Sequence, residues 1–316
     1  MQAYSLIAPA KINLYLEIIG DRPDGYHELA MILQSVDLAD QLDLRSNGTE
    51  QIRLQCDDPQ VPTDSSNLVH KAIALMVGEF PEVYRRFGGV DVMLHKRIPM
   101  GAGLAGGSAD AAAALVGMNL LWKLGLTLTE LQDLAARIGS DIPFCVGGGT
   151  ALATGRGERL APLPSLDYLY AVLAKHRSLA ISTPWAYKTY RQQFSGSYVS
   201  DQASLEERRQ RVHAGGIVAA INQRDGAKIG QLLHNDLEKA VLPAYPQVEW
   251  LRQTLREMDT LGAMMSGSGS TVFALVESKA KAEQIRQQLQ AALPDPDLGI
   301  WTTRLCSHGI QLQEAR

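Results

Sequence analysis

Between Lys11 and Ile18 the apolar residues Ile12, Leu14, Leu16 and Ile18 fall at every second position, the period of a strand covered on one face. Asp21 to Gly25 is a turn by composition. Further strand-like runs lie at 29–36, 41–45 and 51–55. From Asn67 to Phe80 the period changes, because Leu68, Ala72, Leu75 and Met76 share one helical face. Val90 to Leu94 alternates again. Four glycines then fall between Gly101 and Gly107, and the Ala-rich stretch after them predicts a helix capped by Ser108. Leu131, Leu134, Ala135 and Ile138 predict the next helix, with Thr129 as its N-cap. Gly147 to Gly149 leads into a strand reaching Ala153, and 160–166, with Pro162 and Pro164, reads as a linker. Beyond it the pattern predicts a strand at 168–174, helices at 226–233 and 247–258, a strand at 271–276, a helix at 279–292 and a strand at 299–305. Residues 192–211 are polar with few apolar anchors and predict a disordered loop. Strands come first and helices later, without regular βαβ alternation, so the expected class is α+β.

At 316 residues, 46% hydrophobic and 20% charged, the chain can bury a large core. Its length suggests two domains, with the boundary in the proline-bearing linker at 163/164, hence 1–163 and 164–316. A net charge of −4 with both signs interspersed argues against a polyanionic partner, so no nucleic acid is expected. Cys56, Cys145 and Cys306 are far apart without metal-ligand spacing, which suits a reducing compartment. The first residues lack a signal-peptide pattern, and the longest apolar run, 111–122, is too short to span a bilayer. The expectation is a cytoplasmic protein with a small-molecule substrate and no membrane partner, monomeric or a weak homodimer.

The richest stretch is Pro99-Met100-Gly101-Ala102-Gly103-Leu104-Ala105-Gly106-Gly107-Ser108-Ala109. A strand, a glycine loop and a helix start together form an anion site, because free N–H groups and the positive dipole end meet there. Close helix–strand packing is the plainer alternative. Gly101, Gly103 and Gly106 satisfy G-x-G-x-x-G, but a helix stands where the acidic strand of a dinucleotide site belongs. No Lys follows the glycines, so the P-loop pattern fails as well.

This stretch resembles the phosphate loop of the GHMP kinases, the family of galactokinase, homoserine kinase and mevalonate kinase. Two distant segments strengthen the resemblance. Ala8-Pro9-Ala10-Lys11-Ile12-Asn13-Leu14 looks like the family's first motif, and Met265-Ser266-Gly267-Ser268-Gly269-Ser270-Thr271 like its third. Asp21 to Leu29 and Gly139 to Cys145 are similar to one branch, whose members phosphorylate a cytidine-diphosphate-linked polyol for isoprenoid precursors. Ala102 and Ala105 stand where many relatives carry glycine, and Ala109 where many carry a second serine. The resemblance implies a ribosomal-protein-S5-like N-terminal domain, a ferredoxin-like C-terminal domain, and ATP with Mg²⁺. It implies phosphorylation of the polyol's 2-hydroxyl. Another small-alcohol kinase of the family, of homoserine or mevalonate type, and a ligand sensor without turnover are the alternatives.

The resemblance also assigns roles. Pro99 through Ala109 hold the triphosphate, with the Ser108 hydroxyl on phosphate or Mg²⁺. Lys96 and Asn67 lie near the nucleotide; a solvated lysine and a helix N-cap are their plainer readings. Asp141 is the base, or else a turn residue ending a helix. Lys11 pairs with it, or else ends an edge strand. Asn13, two residues on, shares the face of Lys11. Tyr26, His27 and Tyr187 recognise the cytosine, Trp185 being the alternative ring to Tyr187. Gly267, Ser268 and Gly269 close the site against the phosphate loop, or else form a hairpin turn.

Overall fold

The computed structural model describes residues 2–199, 201–213 and 215–313. Two long strands, β1 (Ala3–Asp21) and β2 (His27–Ser46), pair antiparallel along most of their length. The run 29–36 and the run 41–45 are therefore one strand. Its alternation is obscured because residues 28–36 are buried on both faces. β3 (Ile52–Cys56) lies parallel to β4 (Val90–His95), with α1 (Leu68–Glu79) and α2 (Pro81–Phe87) in the crossover. β4 pairs with the far half of β2, residues 41–46.

The helix after the glycines, α3 (Gly106–Trp122), packs against β1, β2 and α1 and is buried on nearly every side. α4 (Leu128–Ala136) and α5 (Ile142–Gly147) follow. β5 (Thr150–Gly155) pairs with the near half of β2, residues 29–34, and with β6 (Arg159–Leu163). The expected linker at 160–166 is thus mostly β6. Pro162 sits on this outer strand, which pairs on one side only, where a missing N–H costs little, and Pro164 follows its end.

β7 (Tyr170–His176) opens a second sheet. α6 (Thr183–Phe194), a 3₁₀ turn (Ser195–Ser197) and α7 (Gln202–His213) come next. The disordered loop expected at 192–211 is therefore largely helical; Ser200 lies outside the described residues. Tertiary contacts order it: Val199 N–H donates to Ile19 O (3.0 Å), and Arg208 pairs with Glu17 (3.2 Å). After α8 (Gly216–Asn222) and α9 (Gly226–Gln231), β8 (His234–Asn235) adds in parallel to β1. α10 (Glu238–Ala244), α11 (Pro246–Glu257), β9 (Gly262–Met265), β10 (Val272–Val276), α12 (Lys279–Ala292), β11 (Leu298–Arg304) and β12 (Gln311–Leu312) complete the chain. The second sheet runs β11-β7-β10-β9, all antiparallel. In chain order that is 4-1-3-2, the ferredoxin-like arrangement. β12 returns to the edge of β1.

Two helix starts differ from expectation. Thr127, not Thr129, caps α4, exchanging hydrogen bonds with Glu130 in a reciprocal box. α3 begins at Gly106 with no side-chain cap, so Ser108 sits inside its first turn. No helix among the described residues is long and apolar enough to cross a membrane.

Candidate active site

The glycine loop runs from β4 to α3 and its conformation follows from its residues. Gly101 and Gly103 have φ of +57° and +72°, and a Cβ on Gly103 would lie 2.1 Å from the Ser266 carbonyl oxygen. Ala105 also adopts the left-handed region, at φ +57°, a cost that glycine would not carry. The first intrahelical bond of α3 is from Ala109 N–H to Ala105 O (2.9 Å). Among the described residues nothing bonds the first N–H groups of the helix, those of Gly106, Gly107 and Ser108, and all three residues line a cleft of about 910 Å³.

Distant segments clamp this loop. Lys11 N–H donates to Leu104 O (3.1 Å), and Thr271 N–H to Ala102 O (3.3 Å). The Gly103 carbonyl accepts from Lys11 Nζ (3.2 Å) and from Ser266 Oγ (3.1 Å). Asn235, on β8, donates from Nδ2 to Met265 O and Gly267 O (both 2.8 Å) and so shapes the Ser266–Gly269 turn. Gly267 and Ser268 reach the cleft wall; Gly269 stands behind it. Ser268 Oγ bonds Thr183 Oγ1 (2.8 Å) at the start of α6, which ties α6 to the loop.

Directly beside the loop, Lys11 is buried and its Nζ donates to Asn13 Oδ1 (2.7 Å) and approaches Asp141 Oδ2 to 3.7 Å. Lys11 does not end an edge strand, because β1 is flanked by β2 and β12. Asp141 precedes α5, yet its carboxylate caps no N–H of that helix and remains one-third exposed to the cleft. The next residues, Ile142 and Pro143, are buried and hold this turn in place. Cys145 lies one turn further into α5; burial, and then the Asp141 charge, push its thiol pKa up, which leaves it un-ionised.

Lys96 is neither solvated nor free. Its ammonium bonds Asp40 and Asp110 (2.7 Å to the latter), both buried. Burial lowers its pKa, but the two carboxylates outweigh that and the net direction is up. Asp110 is pushed well up, by burial first and then by Asp40. Asp40 also accepts from Ile98 N–H (2.9 Å), so this cluster anchors the entry to the glycine loop. Asn67 caps α1, accepting from Val69 N–H (2.8 Å), and it lines the cleft as well. Val61, Pro62, Leu68, Ile98 and Met100 give that end an apolar wall.

At the other end His27 stacks on Tyr187, with ring centroids 5.1 Å apart and 17° between planes. Tyr26 stands half exposed beneath the Arg156 guanidinium, 5.0 Å from its ring centroid. Trp185 points elsewhere, edge-on to Tyr245 at 5.2 Å, and does not line the cleft. Burial, more than any charge, lowers the His27 pKa and favours the neutral ring. The cleft thus brings together Lys11, Asn13, Tyr26, His27, Asn67, Lys96, Asp141, Tyr187, Gly267, Ser268 and the run from Pro99 to Ser108. Ala109 faces the core. Asn235, Asp40, Asp110, Arg156 and Tyr198 escaped sequence reading. Each works through a partner far along the chain, and no local spacing announces it.

Among the described residues, no three His, Cys, Asp or Glu side chains gather as a metal cage. Oxygens on the cleft wall include the Ser108 hydroxyl and the Asp141 and Asp110 carboxylates, the last of these held by Lys96.

The GHMP kinases N terminal domain family matches residues 67–149, and the GHMP kinases C terminal family matches residues 217–295. A 4-diphosphocytidyl-2-C-methyl-D-erythritol kinase from Gloeothece citriformis is 62% identical over 315 residues and covers both chains fully. One from Nostoc punctiforme is 61% identical over 99% of each chain. The crystal structure of a 4-(cytidine 5'-diphospho)-2C-methyl-D-erythritol kinase superposes with a TM-score of 0.72 at 30% identity, covering 95% of this chain and 98% of that one. A homoserine kinase from Cytophaga hutchinsonii, at TM-score 0.77 but 20% identity, shares the fold.

Proposed function

We propose that this chain, which belongs to the GHMP kinase family, phosphorylates 4-diphosphocytidyl-2-C-methyl-D-erythritol on its 2-hydroxyl, with ATP as the family's phosphoryl donor. The products are the 2-phosphate and ADP, in the non-mevalonate route to isoprenoid precursors. One observation carries the reading. The Lys11–Asp141 pair lies in the same cleft as the unpaired N–H groups of α3 and the His27–Tyr187 stack.

Phosphoryl transfer asks mainly for positioning and charge stabilisation. The N–H groups of Gly106, Gly107 and Ser108 hold the triphosphate, and the apolar wall around Leu68 and Met100 takes the adenine. Asp141 accepts the proton of the 2-hydroxyl as that oxygen bonds to the γ-phosphorus. The bond from the γ-phosphorus to the β,γ-bridging oxygen breaks, and its electron pair leaves with ADP. Lys11 steadies the oxygen that is losing its proton. Asn13 Oδ1 holds the Lys11 ammonium. Tyr26, His27 and Tyr187 bind the cytosine, so binding energy far from the reacting hydroxyl serves its positioning.

Mg²⁺, were it to enter with the nucleotide, would be held by the Ser108 hydroxyl and the Asp141 carboxylate. When bound there it neutralises triphosphate charge.

The test is ATP consumption with three alcohols side by side: the diphosphocytidyl alcohol, homoserine and mevalonate. Turnover of the first alone is expected. Comparable turnover of homoserine or mevalonate overturns the substrate assignment.

A further inference from the structure

His27 has two ring nitrogens, and the surrounding groups decide which one carries the proton. Tyr198 Oη lies 3.2 Å from Nδ1. The Asp21 carboxylate is 3.6 Å from the same nitrogen but is committed to Arg191 (2.9 Å). Tyr187 covers one face of the ring, and Tyr198 meets it edge-on with centroids 5.9 Å apart. Among the described residues, these four side chains, from the end of β1, from α6 and from the segment after it, are the polar and aromatic groups that act on His27.

A phenol has one proton to give. Tyr198 has no other hydrogen-bond acceptor among the described residues, so it donates to Nδ1. An accepting Nδ1 in a neutral ring puts the ring proton on Nε2. Burial favours that neutral ring, and Arg191 offsets the pull of Asp21. Among the described residues nothing bonds Nε2, and His27 lines the cleft.

We infer that Tyr198 is a positioning residue: its hydroxyl locks His27 in the Nε2–H form, which offers a lone donor to the pyrimidine and so selects cytosine over uracil. Cytosine N3 is an acceptor, whereas uracil N3 carries a hydrogen. A fixed donor therefore pairs with the first and leaves a donor against a donor with the second. The inference rests on the cytidine-binding reading above. The stretch 194–199 is built for this support. Val199 N–H bonds Ile19 O, and a Cβ on Gly20 would lie 2.4 Å from the Val199 carbonyl oxygen, so the segment is seated closely on the end of β1.

The first measurement needs no variant. ¹⁵N-histidine NMR of the free protein should show His27 with an unprotonated Nδ1 and a protonated Nε2 at neutral pH. A proton on Nδ1 overturns the inference. The second uses Tyr198→Phe, which keeps the ring and removes the hydroxyl. The His27 pKa should rise, because a bond to the neutral form is lost. Measured by competition against the diphosphocytidyl alcohol, the preference for cytidine diphosphate over uridine diphosphate should fall by about 3- to 10-fold, the worth of one hydrogen bond. KM for the alcohol should rise in step, while kcat and the KM for ATP stay within about 2-fold. An unchanged preference in a variant with unchanged melting temperature overturns the inference. If cytidine diphosphate does not compete even in the parent, the functional reading fails, whatever the NMR shows.

Discussion

Replacing Gly103 by alanine tests how the loop and the third motif hold one another. The new Cβ would stand 2.1 Å from Ser266 O, 3.0 Å from Gly269 O and 3.1 Å from Gly269 N, all backbone atoms. No flexible side chain can yield there, so the 266–269 turn must retreat by about 1 Å to reach ordinary contact. The left-handed φ of +72° adds about 1–2 kcal/mol for any residue with a Cβ. The same carbonyl, Gly103 O, accepts from Lys11 Nζ and Ser266 Oγ, so the shift carries to the Lys11–Asp141 pair. Misplacement of about 1 Å near reacting groups costs on the order of 10²-fold in rate. Gly103→Ala should therefore lower kcat by about that factor and melt a few degrees earlier, with circular dichroism unchanged at 25 °C. Steady-state kinetics and a thermal melt read both effects. A variant within about 2-fold of the parent kcat, with the parent melting temperature, would refute the claim that this close approach sets the site geometry.

Gly106→Val should weaken ATP binding in equilibrium titration, since its Cβ meets Ile98 at 3.0 Å and Lys96 Nζ at 3.4 Å and its methyls crowd the unpaired N–H groups; an unchanged affinity would mean the glycine serves packing alone. Ala105→Gly should raise stability to denaturant by up to about 1 kcal/mol, the left-handed cost relieved less the entropy of the glycine chain; a loss of stability contradicts the strain assigned to φ +57°. Asp236 is buried, which pulls its pKa up, yet bonds from His234, Lys239 and Ile18 N–H prevail and set it at about 2. A depressed carboxylate pKa contributes stability above the unfolded value near 3.8 that is lost as pH falls through about 2. Asp236→Asn should thus cost up to about 2 kcal/mol at pH 7 and progressively less in acid, and a pH-independent difference would contradict the linkage.

Much of the site was legible because its chemistry is local. The glycines, the Lys11–Asn13 face and the Asp141 turn are each readable from a few neighbouring residues, and the cleft gathers all three. The N-cap role of Asn67 was legible for the same reason. What escaped depends on distant partners. The 192–211 stretch looks unanchored until Val199 meets Ile19 and Arg208 meets Glu17, 180 and 191 positions earlier in the chain. Ser108 looked like a cap because serine caps well, but Ala105 makes the left-handed turn and α3 starts one residue later. For Lys96 the solvated alternative stayed open in the sequence because Asp40 and Asp110, which bury its ammonium, come from other elements.

The central claim is that the alcohol loses its proton to Asp141 beside Lys11 while the glycine loop holds ATP. The most direct measurement is kcat for Asp141→Asn, Lys11→Ala and the double variant, with ATP affinity titrated separately. Asp141→Asn keeps the shape of the side chain and removes the acceptor, so kcat should fall by about 10²–10⁴ with ATP affinity little changed. Lys11→Ala should also lower kcat, and the double variant should lose less than the product of the two, as expected of groups that act together. Turnover of the diphosphocytidyl alcohol by Asp141→Asn within a few-fold of the parent, with ATP bound as before, would contradict the account.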